Sequence, residues 1–263
     1  MNAHAVAAAV DFAAADSTAV DSTAVEAAAH DPTALQALSQ QLEALTPEAR
    51  IDRTLARLPG AFVLSSSFGA QAAVALHMLT QIDPKIPVIL VDTQYLFAET
   101  LQFAADLQHR LGFDLRVYRA PLSAAEFETH HGRLWERGTE GLQQYNEIMK
   151  LEPFRRALRE LGVGTWFSGL RRAQSSTRRG LPVLQRLDGR FKVHPIVDWT
   201  DRDVGAYLKR HGLPYHPLWD KGYVSIGDRH STRTLAEAGD AELTRFNGLK
   251  RECGLHEIDL SGL

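Results

Sequence analysis

The chain has 263 residues, 44% of them hydrophobic, enough to bury a substantial core as one large domain or one domain with appendages. Residues 1–49 carry seven acids and no lysine or arginine, so the formal net charge of −3 conceals a remainder with 29 basic against 25 acidic side chains. That mild excess suits a small anionic ligand and argues against a nucleic-acid surface, while a single cysteine excludes disulfide frameworks and metal or iron–sulfur sites built from several local thiolates.

In chain order, the start has no basic region and places Asp11 and Asp16 where a signal peptide is apolar. A cytoplasmic protein is expected, and no apolar run approaches the ~18 residues of a membrane span. Residues 1–33, alanine-rich and acidic with the near-repeat DSTAVDSTAVE, predict a disordered or transiently helical tail. From Pro32 to Leu58 apolar residues recur at helical spacing, and Thr46 opens a helix-start signal. Strands then alternate with helices. AFVLSSS, PVILVDT, DLRVYRA and TWFSGL read as strands; AQAAVALHML, LFAETLQFAADLQHRLG (closed by Gly112) and LEPFRRALREL read as helices. This alternation predicts an α/β fold, a parallel sheet with helices on both faces, and a ligand beyond the carboxyl ends of the strands. After Leu187 the pattern is less regular, apart from a helix started by Thr200 and Asp203 and stopped by Gly212. The expected units are the tail 1–33, a nucleotide-binding domain over 34–240 and a mobile tail over 241–263.

Four motifs carry chemistry. In LSSSFGAQAA, Ser65, Ser66, Ser67, Phe68 and Gly69 join a strand to a helix, either as an anion cradle at the helix N-terminus or as an ordinary serine cap. It is not a Walker loop, since no Gly-Lys-Ser/Thr follows. Asp92, at the end of PVILVDT, can bind ribose hydroxyls or cap the next helix. SGLRRAQSSTRRG sets Arg171, Arg172, Arg178 and Arg179 after Gly169 at a strand's carboxyl end, a place that favours an oxyanion clamp, by the fit of guanidinium forks to phosphate or sulfate, over a solvated basic loop. His194, His216 and His230 are too scattered for a zinc site, and the His-Pro pairs read as turns with packed rings. Cys253 has Lys250, Arg251 and His256 to favour its thiolate, with Glu252 opposing and Gly254 leaving it open. A nucleotide-sized pocket, an anion clamp and a reactive thiol together suit attack on an electrophile carried by a nucleotide.

From about Leu58 to Glu257, HGRLWERGTEGLQQYNEIMKLEP, TWFSGLRRAQSSTR, LPYHPLWDKGYVSIGDRHSTR and GLKRECGLH resemble the thioredoxin-dependent phosphoadenylyl-sulfate (PAPS) reductases of bacterial sulfate assimilation. The resemblance implies an adenine-nucleotide α-hydrolase-like fold with a modified pyrophosphate loop. It also implies a homodimer, PAPS as substrate, and reduced thioredoxin or glutaredoxin as co-substrate. Cys253 matches the nucleophile, which would form an S-sulfocysteine. Ser65 to Gly69 and Asp92 would hold the nucleotide, and Arg171, Arg172 and Arg178 its phosphate and sulfate. Gly169, His194, Arg233, Lys250, Arg251 and His256 complete the implied binding set. The ATP-using relatives read S-G-G-x-D-S where this chain has Ser67 to Ala72, without the Asp and the final Ser. Adenylyl-sulfate (APS) reductases hold a four-iron cluster through a Cys-Cys pair and a C-x-x-C. The resemblance sets Asp228 to Ser231 at the second motif and RRAQSST or its neighbours at the first, so no cluster is expected. The alternatives are a cluster-free APS reductase, an ATP-dependent adenylating enzyme, and a nucleotide-binding regulatory protein in which Cys253 is inert.

Overall fold

The computed structural model describes residues 22–248. Residues 1–21 lie outside it, as do Lys250, Arg251, Cys253 and His256.

Three helices lead in: α1 (Ser22–Ala28), α2 (Pro32–Glu43) and α3 (Pro47–Arg57). The first corrects the expected tail, because residues 22–28 are helical and Ala28 is buried in the same apolar cluster as Leu38 and Leu42. Alanine is the best helix former, and its small side chain lets α1 pack closely on that cluster. Thr46 caps α3 as its sequence predicts, accepting from the Ala49 N–H. Arg50, almost fully buried, donates to the carbonyls of Leu42, Glu43 and Pro195 and forks both oxygens of Asp198 at 2.7 Å. That one guanidinium ties the lead-in helices to the loop after the sheet's last strand.

The sheet is built from β1 (Phe62–Ser65), β2 (Pro87–Val91), β3 (Asp114–Tyr118), β4 (Thr165–Ser168), β5 (Leu184–Leu187) and β6 (Arg190–Val193) in the order β3-β2-β1-β4-β6-β5. All neighbours are parallel except β5 and β6. The sheet is thus mostly parallel, as expected, and at its edge lies one antiparallel hairpin. Its turn is Asp188-Gly189, both with positive φ, which matches the right-handed twist of a hairpin.

Strand alternation sorts the core into two layers. Leu64, Val88, Leu90, Phe167 and Val193 point to one face, where α4 (Ala73–Ile82) and α5 (Ala98–Leu111) bury Val74, Leu76 and Phe103. Val63, Ile89 and Trp166 point to the other. After β3 the chain forms α6 (Ala124–His131) and α7 (Gly138–Asn146), then α8 (Glu152–Glu160), whose Phe154, Ala157 and Leu158 cover that second face. Each such side chain contributes about 1.5–3 kcal/mol of burial. Between α7 and α8 runs a π-helical turn, Glu147–Leu151, and neither this turn nor α6 and α7 are visible in the sequence's periodicity.

Past the sheet, α9 (Asp201–Arg210) starts with the expected Thr200–Asp203 capping box. After α10 (Leu235–Ala238) the expected mobile tail is instead packed as far as residue 248, with Thr244 and Phe246 buried. Among the described residues no helix is long and apolar enough to cross a membrane.

Candidate functional site

A cleft of about 460 Å³ opens at the carboxyl ends of β1 and β4, whose last residues, Ser65 and Ser168, are register partners. This volume is that of a small-molecule site.

Its first wall is the turn from β1 into α4. Phe68 has φ +49° and a fully buried ring that packs near Phe113 in the core. The aromatic anchor turns inward, and Ser65, Ser66, Ser67 and Gly69 face the cleft. Ser66 Oγ accepts from the Phe68 N–H at 3.1 Å, pinning the turn. The serine-cap alternative fails: Ala72 is the cap residue of α4 and no side chain bonds there. The serines and the start of α4 therefore line the cleft, although Ser65 Oγ donates to the Phe167 carbonyl at 3.3 Å, and such a lining suits an anion.

Arg171 links this wall to the next. Its guanidinium donates to Gln71 Oε1 at 2.5 Å, to Asp201 Oδ1 at 2.7 Å and to the Trp199 carbonyl at 3.1 Å. Arg178 lines the cleft beside it and donates to Gln174 Oε1 at 2.6 Å. Gly169, before them, approaches α4 so closely that a Cβ would lie 3.0 Å from that of Ala75.

The opposite wall is made of buried charge that the sequence does not announce. Lys150, in the π-helical turn, pairs with Asp228 at 2.6 Å, and the Thr93 hydroxyl donates to the same carboxylate at 2.5 Å. Burial opposes the charge on Asp228, but the Lys150 ammonium and the Thr93 hydrogen bond hold its carboxyl down at about 2. His230 stacks on Trp135 at 4.1 Å; burial lowers its imidazole to about 4, keeping it neutral. The turn at Asp228 to Ser231 thus packs on α7 and the π-helical turn. Arg245 completes this wall, its guanidinium laid against Gly227 where a Cβ would meet it at 2.1 Å. A buried lysine and a buried aspartate 78 positions apart are readable only as a pair, and nothing in the local pattern joins them.

Several residues singled out in the sequence do not reach the cleft with their side chains. Phe68 faces the core, as described. Asp92 points to the opposite side of its strand from Val91 and Thr93: it accepts from Arg119 Nε and the Gln94 N–H, both at 2.8 Å. Arg172 turns outward to Glu43 and the Leu181 carbonyl. His194 is buried beneath β6, where burial and nearby Lys192 hold it neutral. Arg233 donates to the Glu237 carbonyl at the surface. His216 is a packed turn residue: its Nδ1 accepts from the Leu218 N–H and its Nε2 contacts Thr100 Oγ1, each at 3.0 Å.

The family model for the phosphoadenosine phosphosulfate reductase domain matches residues 61–234. A phosphoadenosine 5'-phosphosulfate reductase of Vibrio parahaemolyticus is 55% identical over 225 residues, 86% of this chain and 87% of that protein. One from Xylella fastidiosa is 57% identical over 223 residues, 85% of this chain and 94% of that protein. Among solved structures, the PAPS reductase of Candida auris in a phosphate complex superposes with a TM-score of 0.68 at 29% identity, covering 77% of this chain and 98% of that one. The FMN adenylyltransferase of Candida glabrata, at 16% identity and a TM-score of 0.56 over 82% of this chain and 76% of its own, shares the fold alone. A serine turn and a wall of paired charge around one cleft thus sit in a chain that belongs to the phosphoadenosine phosphosulfate reductase family of oxidoreductases.

Proposed function

We propose that this chain reduces PAPS to sulfite and adenosine 3',5'-bisphosphate in assimilatory sulfate reduction, with Cys253 as nucleophile and a reduced thioredoxin or glutaredoxin as electron donor. The observation that carries the reading is the cleft itself, within a family whose curated members bear that name: hydroxyls and a helix start on one wall, Lys150, Arg171, Arg178 and Arg245 around it. An anionic nucleotide is the ligand such a lining suits.

The chemistry balances as three steps. The Cys253 thiolate attacks the sulfate sulfur, an S–S bond forms, and the S–O bond to the 5'-phosphate breaks, releasing adenosine 3',5'-bisphosphate. One thiol of the protein reductant then attacks the Cys253 sulfur and expels sulfite. Its second thiol resolves the mixed disulfide, so the reductant leaves oxidised and Cys253 returns as a thiol. Cations along the cleft stabilise the charge that builds on the departing phosphate. The adenine-nucleotide moiety lies along Ser65 to Gly69, with Arg171 and Arg178 toward its phosphate and sulfate. Lys250, Arg251 and His256, near Cys253 in the sequence, favour its thiolate, with Glu252 opposing. The enzyme works in the cytoplasm as a homodimer and uses no iron–sulfur cluster, since one cysteine cannot supply four thiolates.

Intact-protein mass after incubating the reduced chain with PAPS or APS, without reductant, tests this. A sulfonate increment on the Cys253 peptide with PAPS only, discharged as sulfite by reduced thioredoxin, is expected. Labelling by both nucleotides points to relaxed specificity. No adduct from nucleotide-binding protein, and no sulfite once thioredoxin is added, overturns the reading.

A further inference from the structure

Phe246 stands seven residues before the only cysteine, and its setting is unusual in three independent ways. Its φ is +50°, a left-handed conformation that an aromatic residue adopts only when its surroundings impose it. Its side chain is 5% exposed, packed in the apolar cluster of Tyr95, Tyr145 and Met149. Its ring meets two cations of the cleft wall: Lys150 Nζ is 5.2 Å from the ring centroid and the Arg245 guanidinium carbon 5.0 Å. Both distances are within the range of a cation–π contact, which is strongest where the cation is desolvated.

The surrounding backbone holds this geometry. The Arg233 N–H donates to the Thr244 carbonyl at 3.0 Å, Thr232 and Arg245 form an antiparallel bridge, and the Gly248 N–H donates to the Arg245 carbonyl at 2.9 Å. Gly227 leaves the space that the Arg245 guanidinium fills. The chain is thus clamped on both sides of Phe246, while from Phe246 to Cys253 it spans at most ~23–25 Å when extended.

We propose that Phe246 is a positioning residue for the reaction: its ring locks Lys150 and Arg245 to the root of the Cys253-bearing segment, so that the thiol and the cleft's cations are aligned on one substrate. This rests on the reading of Cys253 as nucleophile. Phe246 itself does no chemistry. Its ring gives the segment that carries Cys253 a set starting point on the cleft wall, which raises the effective concentration of the thiol at the sulfate.

The test compares the full wild-type chain with Phe246→Leu, which keeps an apolar side chain without the π face, and Phe246→Tyr, which keeps the ring. Three quantities are read: the single-turnover rate of Cys253 sulfonation by PAPS, the affinity for adenosine 3',5'-bisphosphate by calorimetry, and the alkylation rate of the single thiol by iodoacetamide. Phe246→Leu is expected to slow sulfonation at least tenfold with bisphosphate affinity within threefold of wild type, and Phe246→Tyr to stay within threefold in both. A Leu variant that sulfonates at the wild-type rate overturns the proposal. So does one whose rate and affinity fall in equal proportion, as a general disturbance of the cleft would produce. If the wild type forms no adduct, the reading of Cys253 fails separately, and the alkylation rates decide the positioning claim. A change of at least threefold in Phe246→Leu, absent in Phe246→Tyr, supports the lock, and equal rates in all three chains overturn it. Should Phe246→Leu not fold, Phe246→Met, a flexible filler of the same space, carries the same expectations.

Discussion

The Ser65–Gly69 turn and the Lys150–Asp228 pair face one cleft but are held there by different physics. The turn is anchored by an apolar ring, Phe68, driven into the core, and its polar groups are hydroxyls and backbone. The pair is two full charges taken out of water, stable only because each neutralises the other at 2.6 Å. The first wall therefore tolerates the loss of any one polar group, whereas the second depends on keeping its partners together.

Removing one charge from the second wall is the largest perturbation available. Asp228→Asn keeps the shape and an acceptor for Thr93 but leaves Lys150 buried without a counter-charge. A loss of about 3–5 kcal/mol is expected from urea unfolding, as for other broken buried pairs. The double variant Lys150→Met with Asp228→Leu should recover most of that stability, because a packed apolar pair pays no desolvation. It should not recover activity if the cleft needs the ammonium. If the single Asn variant is as stable as wild type, water reaches this wall and the contrast between the two walls collapses.

The same contrast decides what was legible in the sequence. The first wall follows from local pattern: a buried strand, small polar residues, then a helix former. Gly112, the Thr200–Asp203 capping box and the Thr46 cap are read equally well, because caps and turns act within four residues. Four features escaped. The Asp188-Gly189 hairpin was signalled by its dipeptide but lies in a stretch of irregular polarity. The π-helical turn that aims Lys150 inward breaks helical periodicity at the point where periodicity would be used to read it. Asp92 ends the right strand with the wrong parity, and Val91 and Thr93 take the cleft instead. Arg172, in a run of guanidinium groups, was claimed by Glu43, 129 positions away. The first two are local breaks in a regular pattern, the last two a change of parity and a partner far along the chain, and a periodicity read over a window of residues carries none of them.

Acid should loosen both walls through one histidine each. His216 belongs to the turn's side, its N–H donating to the Ala70 carbonyl, and His230 to the charged side, beside Trp135. Burial holds each imidazole at about 4, against an ordinary value of 6.5. Between those limits the unfolded chain takes up protons that the fold refuses. The stability is thus whole above pH 6.5 and falls as pH drops toward 4, by up to ~1.4 kcal/mol per pH unit for each imidazole. Asp228 acts in a lower window: with its carboxyl depressed from 3.8 to about 2, its contribution is present above 3.8 and is lost toward 2. Urea midpoints at pH 7.5, 6 and 5 read the histidine window. His216→Asn, which can still accept from the Leu218 N–H, should flatten the dependence in part, the rest being carried by His230, His194 and His77, whose imidazoles burial also lowers. An unchanged slope would mean that His216 already carries its proton in the fold.

A smaller effect is expected where a methyl group enters the second wall. At Gly227 a Cβ would lie 2.1–2.5 Å from the Arg245 guanidinium, the far end of a flexible side chain that can move aside. Gly227→Ala is therefore expected to cost only about 1 kcal/mol, the lower part of the overpacking range. Because the methyl group takes the space of the Arg245 guanidinium, a space that Phe246→Leu leaves to it, bisphosphate binding should nevertheless weaken about tenfold, the worth of one charge-assisted hydrogen bond. Loss of stability with unchanged binding would separate Arg245 from the ligand.

The matching substitution in the first wall, Gly69→Ala, should have the least effect on the fold. Its Cβ would meet only the Ile226 carbonyl and Ser67 Oγ, both at 3.7 Å, an ordinary contact distance, and Gly69 has no left-handed φ to strain. Thermal unfolding should shift by no more than the ~0.5 kcal/mol typical of a neutral site. Since the methyl group meets no obstacle in the protein, any fall in bisphosphate affinity must come from the ligand's own approach to the backbone at that point. A tenfold or greater loss places the nucleotide against the turn, and unchanged affinity moves it toward Arg171 and Arg178, off the serine wall. Set beside Gly227→Ala, this pair of one-carbon additions asks of each wall whether its glycine makes room for the protein or for the substrate.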